Sequence, residues 1–327
     1  MNSVIGVDLG GTKVAVAPLV GRHFGESALL PTDRSGSAPL IDQLVAMVNK
    51  IRRDDLAAVG IGVPSIVEFD TGRVVSSVNI PLKDVPLRQV LGERLGVPVF
   101  VDNDATVAAL AEAHDAELRL VAHNLVMITI GTGVGGGIVL GGRIYRGSTG
   151  GAGELGHTLV GLDLSGSSVA APTRFPQPGS LEYVAAGHAL DGLAGAAAES
   201  DPESELGRLR AEGKPVAGAE AVQAAEDGDA AAQRIIEIWA ERVGIGIANA
   251  INTFDPEEVV IGGGAARAGE RLLETARRVA RGYVVPGLGR RTSIRLAWHG
   301  VRAGVLGAAL LAAQEIESGP APGETRG

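Results

Sequence analysis

Acids, amides and paired glycines stand in this chain where strands end. Asp8 closes the apolar run Ile5-Gly6-Val7 and is followed by Gly10-Gly11-Thr12-Lys13. Adjacent glycines let a backbone turn with positive φ and bring its amides against an anion. Thr12 and Lys13 add donors, and Asp8 offers a hard oxygen to a Mg2+ shell, directly or through water. The bland counterpart is a β-hairpin with a Gly-Gly turn, an acid left over, and Lys13 facing solvent. Asn103-Asp104 ends another apolar run, Val97-Pro98-Val99-Phe100-Val101. Asp104 alone, ahead of an alanine-rich stretch, reads as a helix N-cap. Asn103 beside it and the strand-end position, where open α/β sheets place ligands, favour a binding role.

A second strand, Leu125 to Ile130, meets Gly131-Thr132-Gly133-Val134-Gly135-Gly136-Gly137 about 120 residues after the first turn. The letters match the dinucleotide fingerprint, which needs a helix to open at its end with the pyrophosphate at the helix N-terminus. Here Gly141, Gly142, Gly147, Gly150, Gly151, Gly153 and Gly156 follow, and at about 1 kcal/mol each no stable helix tolerates them. A turn across 131–137 with Ile138-Val139-Leu140 returning as a strand is the consistent reading. Two such hairpins facing each other across a cleft would hold the phosphates of one nucleotide from both sides.

The elements that must position these groups alternate in an α/β pattern. Apolar residues at Leu40, Ile41, Leu44, Val45, Val48 and Ile51 have helical spacing, Ala57 to Val63 reads as a buried strand, and Leu87 to Leu95 is a short helix closed by Gly96. Between them Pro64-Ser65, Val74-Val75 and Asn79-Ile80-Pro81 read as loop or ribbon. Gly161 to Gly179 is rich in Ser, Pro and Gly and predicts loop. Helical patterns at 181–193 and 217–251, the latter broken near Asp227-Gly228, precede a strand at Glu258 to Ile261 and the run Gly262-Gly263-Gly264. A helix to Arg281, a strand at Ser293 to Ala297 and a helix at Ala303 to Glu315 follow, and residues 316–327 predict a disordered tail.

Composition narrows the function. With 327 residues there is length for two domains, and with 45% hydrophobic but 3% aromatic residues the interior must be built from Ala, Val, Leu and Ile. The net charge of −9 and the absence of a basic run exclude the footprint of a nucleic-acid binder. There is no cysteine, so disulfides, thiolate catalysis and Cys-ligated zinc are excluded. No signal-like segment and no stretch of 18 apolar residues is present, which points to the cytoplasm and away from membranes. His23, His114, His123, His188 and His299 show no ligand spacing and read as surface or capping residues.

Taken together, these motifs resemble the ROK sugar kinases, within the actin, Hsp70 and hexokinase superfamily, from Val4 to about Ala313. Asp8 to Lys13 looks like the first phosphate motif, Gly131 to Gly137 the second, and Val259 to Gly264 the adenosine motif, preceded by Asn249-Ala250-Ile251-Asn252-Thr253-Phe254-Asp255-Pro256. The resemblance implies two ribonuclease-H-like domains with a cleft between them, at 1–115 and 116–302, the helix at 303–315 packing back on the first. It implies ATP bound through Asp8, Gly10, Gly11, Thr12, Lys13, Gly131, Thr132, Gly133, Gly262, Gly263 and Gly264, with Mg2+ at Asp8. Asn103-Asp104 matches the Asn-Asp pair whose Asp is the catalytic base, and Gly153-Glu154-Leu155-Gly156-His157 matches the family's Gly-Glu-x-Gly-His. Glu154, His157 and Glu182 are thereby implied sugar ligands, with Ser65 and Asn79 completing that side. The ordinary alternatives are a solvated Glu154/His157 loop pair and a Glu182 that merely complements a helix dipole.

Two departures stand out. Most family members bind structural zinc through three cysteines and the His of Gly-His; here Ser165 to Pro178 fills that loop and Ser180 stands where the last Cys would fall. No structural zinc is expected, so packing or substrate must order the segment 162–180. Pro64-Ser65 replaces the usual Pro-Gly beside the sugar. The implied reaction is γ-phosphoryl transfer from ATP to a hexose hydroxyl, glucose at its 6-hydroxyl first, by a homodimer. Amino sugars or sugar-like cyclitols are alternatives, as is polyphosphate as donor. An inactive sugar-binding protein is disfavoured by the intact Asp8, Asp104 and glycine turns. Regulators in the family carry a helix-turn-helix ahead of the first phosphate motif; seven residues precede Asp8, too few for one.

Overall fold

A computed structural model describes residues 3–77, 79–162 and 172–318. The centre of the expected 161–179 loop and residues 319–327 of the expected tail lie outside the described residues. In chain order the elements are β1 (Ser3–Leu9), β2 (Lys13–Val20), β3 (His23–Phe24), β4 (Ala28–Pro31), α1 (Ser37–Ile51), β5 (Leu56–Val63), β6 (Ser65–Glu68), β7 (Arg73–Ser77), α2 (Leu87–Leu95), β8 (Val99–Asn103) and α3 (Asp104–Glu112). There follow β9 (Leu125–Ile130), β10 (Val134–Leu140), β11 (Arg143–Ile144), α4 (Leu181–Ala185), α5 (Gly187–Ser200), α6 (Glu205–Ala211), α7 (Gly218–Glu226), α8 (Ala230–Phe254), β12 (Glu258–Gly262), α9 (Gly269–Tyr283), β13 (Ser293–Leu296) and α10 (Ala303–Ser318). Among the described residues no helix is long and apolar enough to cross a membrane.

The chain divides into two compact units, one of Met1–Asn124, Gly137–Gly153 and His299–Gly327, the other of Leu125–Gly136 and Glu154–Trp298. In the first unit the sheet runs β3-β2-β1-β5-β8, with β4 also on β2. β1 and β2 are antiparallel; β1, β5 and β8 are parallel, so their carboxyl ends share one edge. Asp8 pairs with Gly62, Gly62 with Asp102, and Val63 with Asn103, which sets Asp8 and Asp102 in one row across β5 with Asn103 in the next. One core joins Val7, Leu9, Ile61 and Val101 to Leu40, Leu44 and Val48 of α1 and to Leu87 and Leu91 of α2. α2 stops at Gly96, whose φ of 66° is the left-handed cap glycine adopts without strain.

Against the same sheet lies α10. A Cβ on Gly6 would sit 2.0 Å from Val305 O, and one on Gly60 1.8 Å from Ala308 O, so bare backbone is required where this helix crosses β1 and β5.

A second sheet runs β11-β10-β9-β12-β13, with β9, β12 and β13 parallel. Its β9 and β12 pack through Ile128 and Ile261 into a core with Ile236, Trp239, Val243 and Ile247 of α8 and Leu272 of α9. The glycine turn is shorter than expected: β10 begins at Val134, so Gly135, Gly136 and Gly137 are strand. A Cβ on Gly137 would meet Ala105 O and Ala109 Cβ at 2.6 Å, so that glycine serves a close approach of α3 rather than a turn. The pattern at 181–193 is two helices, α4 and α5, parted at Ala186. The break near Asp227-Gly228 separates α7 from α8 as expected, while β4 and α6 carry no signal in the periodicity.

Candidate active site

At the sheet edge of the first unit, Gly10 N donates to Lys13 O at 3.0 Å and closes the hairpin turn. Thr32 Oγ1 donates to Gly10 O at 2.7 Å, holding the turn from outside. Thr12 and Lys13 are exposed, and Asn79 lies beside Gly11, whose Cβ would approach Asn79 Cβ to 3.1 Å. Asp8 is pushed up to about 6, first by burial and then by the charge of Asp104, with Lys13 pulling the other way.

The N-cap of α3 is Asn103, not Asp104. Asn103 Oδ1 accepts from Ala105 N at 2.9 Å and Thr106 N at 3.2 Å, while its Nδ2 donates to Ser65 O at 3.4 Å. Asp104 is the first helical residue, and its carboxyl, which accepts from Ala105 N at 2.8 Å, is pushed up by burial. The amide relieves the acid of the capping task. Ser65 is 7% exposed and its Oγ is buried without a partner. The first unit thus brings together Asp8 with Asp104, Asn103 with Ser65, and Asn79 with Gly11.

In the second unit, Gly131 N donates to Gly133 O at 2.9 Å. Glu182 Oε2 accepts from Val134 N at 2.8 Å and stands 2.7 Å from the Cβ that Gly133 lacks. Gly187 N donates to Gly131 O at 2.8 Å, and this bond, which a side chain at 187 would crowd, explains the break between α4 and α5. A cavity of about 430 Å3 opens beside the turn. Ile130, Gly131, Gly264 and Ala265 form one wall; Leu190, Val222 and Trp239 give an apolar lining, and Asp191, Gln223, Glu226 and Arg267 are its polar groups. Of the expected run only Gly264 lines the cavity; Gly262 and Gly263 lie outside its lining, with a Cβ on Gly263 meeting Ile130 O at 2.5 Å.

Gly156 lets the Glu154–His157 turn press on β10, since a Cβ there would be 2.1 Å from Val134 O. Glu154 Oε2 and His157 Nε2 are 3.8 Å apart, and Phe175 meets the His157 ring edge-on at 5.5 Å between centroids. Gln177 Nε2 donates to His157 O at 2.8 Å, and Ser180 Oγ caps α4 by accepting from Tyr183 N. His157 Nδ1 is buried without a partner. Of the zinc donors named above, three cysteines and a histidine, the chain holds only His157.

Of the glycines expected to bind nucleotide, Gly131 and Gly264 line the cavity; its other wall on α5 and α7 was not expected, its only signals being Gly187 and the break at Asp227-Gly228. Sequence reasoning read His114 as a surface or capping residue; His114 is buried, and it caps the last turn of α3 with its Nδ1 on Leu110 O at 2.8 Å. It also passed over Asp102, which is 2% exposed and pairs with Arg146 at 2.7 Å.

Residues 4–315 match the model of the ROK family. The chain is 35% identical over 326 residues to a glucokinase of Halalkalibacterium halodurans, covering 96% of each. It is 37% identical over 224 residues to a putative xylose repressor of a Caldicellulosiruptor species, covering 68% of this chain and 54% of the repressor. The crystal structure of a ROK family glucokinase from Streptomyces griseus in complex with glucose and AMPPNP superposes with a TM-score of 0.75 at 31% identity, covering 96% of this chain and all of that one (100%).

Proposed function

Because the chain belongs to the ROK family, whose members share the actin-like ATPase fold, we propose that this ATP-dependent carbohydrate kinase phosphorylates glucose at its 6-hydroxyl with Asp104 as general base. The observation that carries the role of Asp104 is its release from capping by Asn103, together with a burial that raises its proton affinity. A carboxylate lifted above its usual range is a better proton acceptor at neutral pH than a free aspartate. Asn103 and the buried, unpartnered Ser65 Oγ offer hydroxyl-binding groups at the same strand ends. Glu154 and His157 do so in the second unit, where Glu182 holds the glycine turn as well.

The cavity beside Gly131 and Gly264 suits a nucleoside, with apolar walls for a base and Asp191, Gln223, Glu226 and Arg267 for its polar edges and ribose. An ATP donor is favoured over polyphosphate, which has no group to fill it. The Gly10 and Gly131 amides close their own turns, so the Gly11 and Gly133 amides and the Thr12 and Thr132 hydroxyls are the groups that take the phosphates. Asp8 fits a Mg2+ site of the kind in which one carboxylate is joined by substrate phosphates, and the repulsion it feels from Asp104 is what a cation relieves. When bound, Mg2+ neutralises phosphate charge. A homodimer in the cytoplasm completes the reading, and sedimentation velocity reads the oligomeric state directly.

A panel of glucose, mannose, N-acetylglucosamine, N-acetylmannosamine and myo-inositol, each with ATP and with polyphosphate, tests the assignment through kcat/KM. Glucose with ATP is expected to lead; an amino sugar or the cyclitol in first place replaces the acceptor. Asp104→Asn is expected to bind glucose within a few-fold of wild type and to lose about 10²- to 10⁴-fold in kcat. Near-normal turnover in that variant removes Asp104 as the base.

A further inference from the structure

Asp102 is a nearly inaccessible acid with no part in the chemistry above. Its Oδ1 accepts from Asn103 N at 2.9 Å, and its Oδ2 accepts from Arg146 Nε at 2.7 Å. Burial pushes the Asp102 carboxyl up, and the Arg146 guanidinium opposes that shift. The same guanidinium lies 3.4 Å over the Phe69 ring, at the turn between β6 and β7, and 3.5 Å from Glu315 on α10. Arg146 O accepts from Ala152 N at 3.0 Å, and a Cβ on Gly150 would stand 2.2 Å from Val67 O, so the loop bearing the arginine is itself closed and seated on β6. One planar cation therefore ties the end of β8 to the ribbon that starts at Ser65 and to α10.

We propose that Arg146 is a positioning residue which, through Asp102, fixes the backbone at Asn103 and so aims Asp104 at the acceptor hydroxyl. The inference rests on Asp104 being the base. An arginine in this place does what a lysine does not, because a planar fork can pair with a carboxylate and stack on a ring at once. Without it, Asp102 is a buried acid with no countercharge, free to turn from Asn103 N, and a base displaced by about 1 Å costs about 10²-fold in rate.

Glucose phosphorylation by the full chain tests this with Arg146→Met, Asp102→Asn and the double variant. Arg146→Met is expected to lower kcat by about 10- to 100-fold with KM for ATP within about 2-fold of wild type. The double variant is expected to be no slower than the slower single, the mark of two residues acting as one unit. Losses that multiply, an unchanged kcat, or a raised KM for glucose at wild-type kcat would each overturn the proposal, the last by making Arg146 a direct ligand. Should Arg146→Met not fold, Arg146→Lys is read against the same split, with a loss of about 3- to 10-fold in kcat expected and none overturning it. Asp104→Asn run alongside separates the two claims. Activity in that variant sinks the base assignment, whereas an inactive Asp104→Asn beside a fully active Arg146→Met sinks the positioning role alone.

Discussion

The turn at Gly10-Gly11 and the turn at Gly131–Gly133 look alike in sequence, each an apolar strand, paired or spaced glycines and a returning strand, yet they are loaded differently. The first carries its acid in the strand: Asp8 is half-buried, repelled by Asp104, and raised to about 6. The second has Thr129 at the matching place and takes its acid from α4, where Glu182 is engaged with Val134 N. In the first turn the carboxyl faces a second acid and is only partly offset by Lys13; in the second the carboxyl accepts from the turn's own Val134 N, and a cavity opens beside it. A shared backbone plan thus serves two electrostatic purposes, and the difference lies in who supplies the carboxylate.

Substituting the acid of the first turn is the strongest way to break this comparison. Asp8→Asn is expected to lower kcat by about 10²- to 10³-fold while raising the Tm of the ligand-free protein. The shift from 3.8 to about 6 corresponds to about 3 kcal/mol of cost to the folded state at pH 7, an upper figure that the neutral amide removes. Unchanged or lowered Tm would mean that the charge is already neutralised. A smaller effect probes the second turn. Gly133→Ala forces a methyl to within 2.7 Å of Glu182 Oε2 and is expected to cost about 10-fold in kcat/KM for ATP, whereas Gly11→Ala, with its nearest neighbour at 3.1 Å, should cost less. The reverse order would erase the distinction drawn here.

The pH dependence of stability sharpens it further. Asp8 binds its proton more tightly folded than unfolded, so between about 4 and about 6 the native state holds the extra proton and stability falls as pH rises. Denaturant midpoints of wild type against Asp8→Asn across that window should converge at its acid end, and Mg2+ with a nucleotide should flatten the wild-type slope. Parallel curves would remove the burial argument. The smallest effect is expected from Glu182→Gln, a few-fold in kcat/KM for ATP, because an amide oxygen still accepts from Val134 N.

Much of this was legible from local pattern. Strand-ending acids, the glycine runs, Gly96 as a helix stop and the break at Asp227-Gly228 are set by neighbours within a few residues. What escaped is set by residues far along the chain. Gly135 to Gly137 share the composition of a turn but sit in β10, because α3 crowds Gly137; Gly187 ends α4 because of a carbonyl at Gly131. Asp102 and Arg146 are 44 residues apart, with no periodicity linking them. Asn103 and Asp104 are both good caps, and only the strand's end point decides which of them caps.

The bare faces of Gly6 and Gly60 also bear on how the chain is made. They are matched to Val305 and Ala308 of α10, so β1 and β5 emerge from the ribosome long before the helix that covers them. The second unit, apart from β9 and the turn, is contiguous from Glu154 to Trp298 and can consolidate during synthesis, whereas the first must hold an uncovered sheet until the last helix arrives. Stalled or truncated chains ending before Ala303 are therefore expected to be chaperone clients, with the strand that carries Asp8 among the last parts of the protein to become protected from proteolysis.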